Sequence, residues 1–153
     1  MSVVQSNRIE KQVVVRAPRA RVRRALTDAR EFGAWFGVRP TSAFNPGARV
    51  TGAVTHKGYE HLTWDVTIVA MEPERKFSWR WHPGEVSASD VPDEPTTLVE
   101  FELADIEGGT LVKVVETGFD AIPATRRGDA YRSNDEGWGA QIDAIRRHVE
   151  AAS

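Results

Sequence analysis

Hydrophobic and polar residues alternate along the middle of the chain, which is the pattern of β-strands with one buried face. The clearest case is Leu62–Met71, where Leu, Trp, Val and Ile occupy every second position. Short turns that contain glycine separate neighbouring stretches, so the pattern predicts two antiparallel hairpins. The predicted strands are Val50–His56 with Leu62–Met71, Thr97–Leu103 with Thr110–Thr117, and a further strand that includes Phe77 to Trp81.

Both ends of the chain follow other patterns. The β-branched run Ile9–Arg16 predicts a first strand, and from Pro18 the hydrophobic residues recur at helical spacing. A second short helix is predicted over Glu31–Phe36, ended by a glycine. Ala124–Ala151 predicts a long helix with one hydrophobic stripe. The stripe consists of Trp138, Ile142, Ile145 and Val149.

This order of elements predicts the fold class. Strands that follow one another, instead of alternating with helices, indicate an α+β fold with an antiparallel sheet. We expect the long helix to lie on the concave face of that sheet, because nothing else in the chain can cover its stripe. Where helix and sheet diverge, we expect a space for a ligand. The chain predicts one domain over residues 1–153, with an ordered core of about 8–150.

Composition excludes several kinds of partner and site. The net charge of -2 leaves no basic excess for a phosphate backbone, so no nucleic acid is expected. No hydrophobic run approaches about 20 residues, and the first residues lack the hydrophobic region of a signal peptide, so we expect no membrane and a cytoplasmic location. The chain has no cysteine, which excludes disulfides, cysteine nucleophiles and cysteine-ligated metals.

The remaining polar stretches indicate little chemistry. The sequence contains no nucleotide-binding or hydrolase motif. His56 and His61 flank a predicted turn but fall on opposite faces, so no metal site is predicted. The arginines between residues 16 and 30 predict a solvated helix face. Pro83–Pro95 predicts a solvated acidic loop, long enough to act as a lid over the sheet edge.

Glu116 is the most interesting ionisable residue. It continues the alternation of Val112 and Val114, so it lies on the face that contacts the helix. A carboxylate on a hydrophobic face is costly unless it is paired, and such residues are often functional. Two interpretations stay open: a pocket residue, or a glutamate at a strand end that reaches solvent or pairs with Arg132.

Aromatic residues of neighbouring strands predict a cavity wall, although core packing explains each of them taken singly. Two residues of the long helix lie near the expected mouth, with ordinary helix surface as the alternative. The predicted ligand-binding residues are Trp64, Phe77, Trp79, Trp81, Glu116, Tyr131 and Asn134.

Ile9–Gly37 resembles the opening of the SRPBCC (START-like, helix-grip) superfamily. More closely, it resembles the branch named for the activator of heat-shock protein 90 ATPase, C-terminal domain-like. In this segment the matching pieces are Ala17-Pro18, Val22, Arg24 to Asp28, and Trp35 to Gly37. Further along the chain they are Pro46-Gly47, Val69–Trp79, Gly109 to Glu116, Gly118 with Phe119, and Gly137-Trp138.

The resemblance implies a helix-grip fold with a hydrophobic cavity. Because the superfamily hosts lipid carriers, cyclases, dehydratases and co-chaperones, several functions stay open. The first is binding of a small hydrophobic molecule, aromatic or lipid-like, between the sheet and the C-terminal helix. The alternatives are a cyclase or dehydratase that uses Glu116 as acid and base, and an interaction domain that activates a chaperone ATPase. No cofactor is expected, and a homodimer is left open.

Overall fold

Seven strands form one antiparallel sheet in the computed structural model, which describes residues 7–151. The strands are β1 (Arg8–Val15), β2 (Val38–Pro40), β3 (Arg49–Val54), β4 (Thr63–Glu72), β5 (Lys76–Trp81), β6 (Thr97–Ile106) and β7 (Gly109–Thr117). Their order across the sheet is β1-β7-β6-β5-β4-β3-β2, so the first two strands of the chain form its two edges. The predicted domain limits at residues 1 and 153 lie outside the described residues.

Within residues 7–151 the helices confirm the predicted α+β helix-grip class. Two short helices follow the first strand, and a long C-terminal helix lies on the curved sheet. The helices are α1 (Arg19–Thr27), α2 (Ala29–Phe36) and α3 (Ala124–Ala151), with short 3-10 turns at Ala88–Asp90 and Phe119–Ala121. None of the helices in this part of the chain is long and hydrophobic enough to span a membrane.

Helix α2 begins two residues before its predicted start. The Asp28 side chain accepts a hydrogen bond from the backbone N–H of Glu31 at 3.0 Å, which satisfies one of the free donors at the helix start. At the other end, Gly37 adopts φ 91°, and its N–H bonds to the carbonyl of Gly33. The helix therefore stops where the sequence predicts, directly before the cavity described below.

The short edge strand β2 is absent from the sequence prediction. Its three residues include Pro40, and proline is tolerated only at sheet edges because it cannot donate to a neighbouring strand. Pro40 pairs with Gly52 of β3. A Cβ atom at position 52 would lie 2.7 Å from the carbonyl oxygen of Arg39, so the close approach of β2 requires this glycine.

The predicted stripe of α3 is confirmed. Trp138, Ile142, Ile145 and Val149 are all buried, whereas Arg147, outside the stripe, is exposed. The helix packs against β1 and β7, and also against α1 and α2. This packing covers the concave side of the sheet at the edge formed by β1 and β7.

Over β4 and β5 the sheet is covered by α2 through Phe32, which is fully buried. Its ring lies 5.4 Å from Trp64, 6.4 Å from Phe77 and 5.7 Å from Trp79. These aromatic rings from β4 and β5 therefore form the centre of the core beneath α2.

The arginine-rich segment is only partly the solvated face that the sequence predicts. Arg21 is largely buried and bonds to Glu31, which also accepts from Arg24 at 3.1 Å. His148 of α3 contacts the same carboxylate at 3.1 Å. Burial alone would raise the pKa of Glu31, but hydrogen bonds from Arg21 and His148 outweigh it and lower that pKa. The cluster thus joins the two short helices to the end of α3.

Candidate functional site

A cavity of about 620 Å³ lies between α2, α3 and the ends of β4 and β5. Small-molecule sites typically have volumes of about 300–1,000 Å³, so this size suits a small-molecule ligand. Aromatic residues from five different segments contribute to the lining. They are Trp35, Phe36, Tyr59, Trp64, Trp81 and Trp138.

The loop between β5 and β6 (residues 82–96) covers one end of this cavity, where Gly84 and Val86 are part of the lining. The backbone N–H of Gly84 donates to the side-chain oxygen of Asn134 at 3.0 Å. The Ser87 hydroxyl accepts from the backbone N–H of Thr63 on β4 at 3.0 Å. The loop is therefore anchored both to the long helix and to the sheet.

A largely buried ion pair anchors the same loop at its base. Arg126 of α3 donates to Glu94 at 2.9 Å and to the carbonyl of Pro83 at 2.8 Å. Glu94 thus differs from the predicted solvated acid, whereas Asp93 beside it is exposed. The difference arises because Arg126 reaches from the first turn of α3 to the loop.

Glu116 on β7 is completely buried directly behind the cavity wall. Its Oε2 accepts from Trp81 at 2.9 Å and from the hydroxyl of Thr97 at 2.5 Å. Its Oε1 accepts from Trp138 at 2.8 Å, and the Asn134 amide donates to both oxygens, at 2.8 and 3.0 Å. The carboxylate therefore joins strands β5, β6 and β7 to helix α3.

All the groups around this carboxylate are neutral donors. Burial raises the pKa of Glu116, and hydrogen bonds from Thr97, Trp81, Trp138 and Asn134 offset part of that rise. The indole and amide N–H groups can only donate, so they favour the ionised form, but burial outweighs them and the pKa stays above its ordinary value. No Lys, Arg or His of the described chain pairs with it.

The strand-end interpretation of Glu116 is therefore wrong. The residue neither reaches solvent nor pairs with Arg132, whose guanidinium instead bonds to Asp129 at 2.5 Å. The reason is helical phase: Arg132 is exposed, and Asn134 and Trp138 are the α3 residues that reach the strand.

The predicted ligand-binding residues separate into groups. Trp64, Trp81 and Asn134 line the cavity, and Glu116 lies behind Trp81 and Asn134. The others do not line it. Phe77 and Trp79 are fully buried beneath α2.

Tyr131 is also outside the lining. Its hydroxyl donates to the carbonyl of Arg8 at 2.9 Å, and its ring packs against Phe119 with centroids 5.1 Å apart. Tyr131 therefore attaches α3 to the edge strand β1, one turn away from the cavity.

Other lining residues are absent from the sequence prediction. Trp35 and Phe36 enter the wall because α2 ends at the cavity, and Gln141 follows Trp138 by three residues on α3. The sequence signal for these two aromatic residues is their position directly before Gly37, the glycine that ends the helix. At the rim, His56 lies beside Tyr59 with ring centroids 5.9 Å apart. Residues 7–151 contain no cluster of three or more His, Asp or Glu side chains suited to a metal ion.

Comparison with known proteins agrees with this architecture. The sequence model of the family described as "Activator of Hsp90 ATPase homolog 1-like protein" matches residues 16–150. A comparison with curated proteins finds no match.

Solved structures share the fold at low sequence identity. Protein MLL2253 from Mesorhizobium loti has a TM-score of 0.75 and 20% identity, over 95% of this chain and 98% of its own. The Aha1 dimer from Colwellia psychrerythraea has a TM-score of 0.70 and 17% identity, over 94% and 96%. DynU16, a putative protein in the dynemicin biosynthetic locus, has a TM-score of 0.73 and 20% identity, and this chain covers 49% of it.

Proposed function

Because the chain belongs to the Activator of Hsp90 ATPase homolog 1-like protein family, we propose that it binds a small hydrophobic molecule between its sheet and its C-terminal helix. The observation that carries the proposal is the cavity of about 620 Å³ with an aromatic wall. Hydrophobic lining with a few placed polar groups is the usual composition of a ligand site.

The wall is held rigidly, which favours binding. Trp81, Asn134 and Trp138 line the cavity and all donate to the carboxylate of Glu116. Side chains that are already ordered lose little conformational entropy when a ligand arrives. In this proposal Glu116 is a positioning residue, and the three donors contact the ligand.

Binding is tested with tert-butylbenzene as a neutral hydrophobic probe, by tryptophan fluorescence and calorimetry. Gly137 and Gly139 of α3 offer a matched pair, because a Cβ at either position meets nothing within 4 Å. Both are exposed, but Gly137 lines the cavity and Gly139 does not. We expect Gly137→Phe to fill the cavity and abolish binding, and Gly139→Phe to leave the affinity unchanged. Equal affinities in both variants would contradict the site.

An enzyme is the second candidate, and the DynU16 structure from a biosynthetic locus supports it at the level of the fold. A general acid or base must exchange a proton with the substrate. Both oxygens of Glu116 already accept from protein donors, and the side chain has no exposed surface. Turnover that disappears in Glu116→Gln while probe affinity persists would favour the enzyme over the carrier.

An interaction domain is the third candidate, because the family description refers to activation of the Hsp90 ATPase. The Colwellia structure is a dimer, so a homodimer of this chain is proposed alongside it. Chaperone ATPase rates measured with and without the protein test the first point, and sedimentation equilibrium tests the second. If Gly137→Phe still stimulates the chaperone ATPase, the interaction does not depend on the cavity. The cytoplasmic location stays a prediction that cell fractionation tests.

A further inference from the structure

Two indole rings of the cavity wall share one buried anion. Trp81 and Trp138 donate to the two different oxygens of Glu116, at 2.9 and 2.8 Å. Their ring centroids lie 5.8 Å apart with 34° between the planes. An N–H that donates to a carboxylate shifts electron density toward the ring, and the face of an aromatic ring is already its negative part.

The charge behind this wall has no counterion. Both oxygens of Glu116 accept only from neutral groups, and no cation of the described chain reaches them. Charges act over longer distances in a protein interior than in water, because the interior screens them weakly. When ionised, the carboxylate therefore gives the neighbouring cavity a negative potential.

The rim adds charge of the same sign. Glu85 of the β5–β6 loop and Glu136 of α3 border the cavity, are exposed, and have no ion pair within residues 7–151. The guanidinium that borders it, on Arg147, is bound to Asp143 at 2.9 Å. Acidic groups thus approach the mouth from two different elements.

From this arrangement we propose that the ligand carries a positive charge on a hydrophobic body, as an amine or a quaternary ammonium compound does. The inference rests on the proposed ligand-binding function and names the class of ligand. Tryptophan is the strongest aromatic partner for a cation. The hydrophobic body occupies the aromatic part of the cavity, and the cationic head contacts the faces of Trp81 and Trp138.

The test compares three probes of similar shape that differ in charge. They are phenyltrimethylammonium, the uncharged tert-butylbenzene, and the anion benzenesulfonate, titrated at pH 7.5 by calorimetry. We expect the cation to bind about tenfold more tightly than the hydrocarbon, and the anion to bind most weakly. Equal affinity for all three, or tightest binding of benzenesulfonate, overturns the inference and leaves the proposed function intact. If none of the three binds, both fail.

Rim variants test the charge without disturbing the core. In the double variant Glu85→Gln with Glu136→Gln, we expect the affinity for phenyltrimethylammonium to fall by about two- to fivefold per charge. The affinity for tert-butylbenzene stays unchanged. Glu107→Gln is the matched control, because Glu107 is exposed in the β6–β7 turn and does not line the cavity. A cation affinity that is the same in all three proteins overturns the proposed role of the rim acids and with it the inference.

Discussion

The carboxylate of Glu116, on the last strand, accepts the indole N–H of Trp138, on the last helix, at 2.8 Å. Both residues are buried, at 0% and 2% exposure. The contact helps to set the rotation and height of α3 over the sheet, because a hydrogen bond of 2.8 Å between two buried side chains tolerates little displacement. It also positions one wall of the cavity.

Removing the Glu116 side chain is expected to destabilise the protein strongly. Glu116→Ala leaves the N–H groups of Trp81, Trp138 and Asn134 and the hydroxyl of Thr97 without their acceptor. Each unsatisfied buried donor costs about 1–3 kcal/mol, with partial relief from rearrangement. We expect a loss on the order of 3–5 kcal/mol in the free energy of unfolding, measured in urea.

A matched control is Glu102→Ala on β6. Glu102 forms only a partly exposed pair with Lys113 at 3.6 Å, so its loss should cost less than about 1 kcal/mol. Similar losses in the two variants would show that the donors around Glu116 find other acceptors.

Glu116 and the partly buried Glu31 should respond to pH in opposite directions. Because burial raises the pKa of Glu116 from 4.5, its ionisation costs stability in the folded state. Compared with Glu116→Gln, the wild-type protein should therefore lose stability as the pH rises from 4.5 through the raised pKa. Urea unfolding at several pH values measures this difference.

The variant Thr97→Val sharpens this test. It removes a donor that favours the charged form and so raises the pKa of Glu116 further. The pH-dependent loss of stability should therefore occur at higher pH. If the difference in unfolding free energy between wild type and Glu116→Gln does not change with pH, the pKa of Glu116 is not shifted by folding.

For Glu31 the sign is reversed. Arg21 and His148 lower its pKa, so its contribution to folding stability is fully present above 4.5, the pKa in the unfolded chain. That contribution should disappear as the pH falls through the lowered pKa. The difference in unfolding free energy between wild type and Glu31→Gln should shrink on acidification below 4.5. A constant difference would contradict the contacts with Arg21 and His148.

The burial of α3 makes a separate stability prediction. Ile145 is fully buried, so Ile145→Ala should cost about 2–5 kcal/mol. Arg147→Ala on the exposed side should stay within about 0.5 kcal/mol. Thermal and urea unfolding compare the two variants, and equal costs would show that the helix does not lie on the sheet in this phase.

Loosening the β5–β6 loop should be visible in hydrogen exchange. Asn134→Leu removes the acceptor of the Gly84 N–H, so exchange at that amide should become at least about tenfold faster. The amide of Tyr59, which bonds to the carbonyl of His56 at 3.0 Å, serves as the internal control. Equal acceleration at both amides would indicate global destabilisation and contradict a local anchor.

Local periodicity made much of the fold predictable. The 3.6-residue repeat gives the bounds of α3 as Ala124–Ala151, the same as in the structure. Alternation along β7 likewise places Glu116 on the covered face. These features depend on residues a few positions apart, so the chain itself carries them. Strand β2 is too short to show any periodicity, and it forms only because it pairs with β3.

The partners of Glu116 depend on contacts that no local pattern records. Its donors Trp81, Thr97 and Trp138 are 35, 19 and 22 residues away in the chain. Trp79 and Trp81 show the same limit within a single strand. Both point to the concave face of β5, yet Trp79 is fully buried and Trp81 lines the cavity. Alternation determines the face, but the place where Phe32 of α2 covers the sheet decides which indole remains available to a ligand.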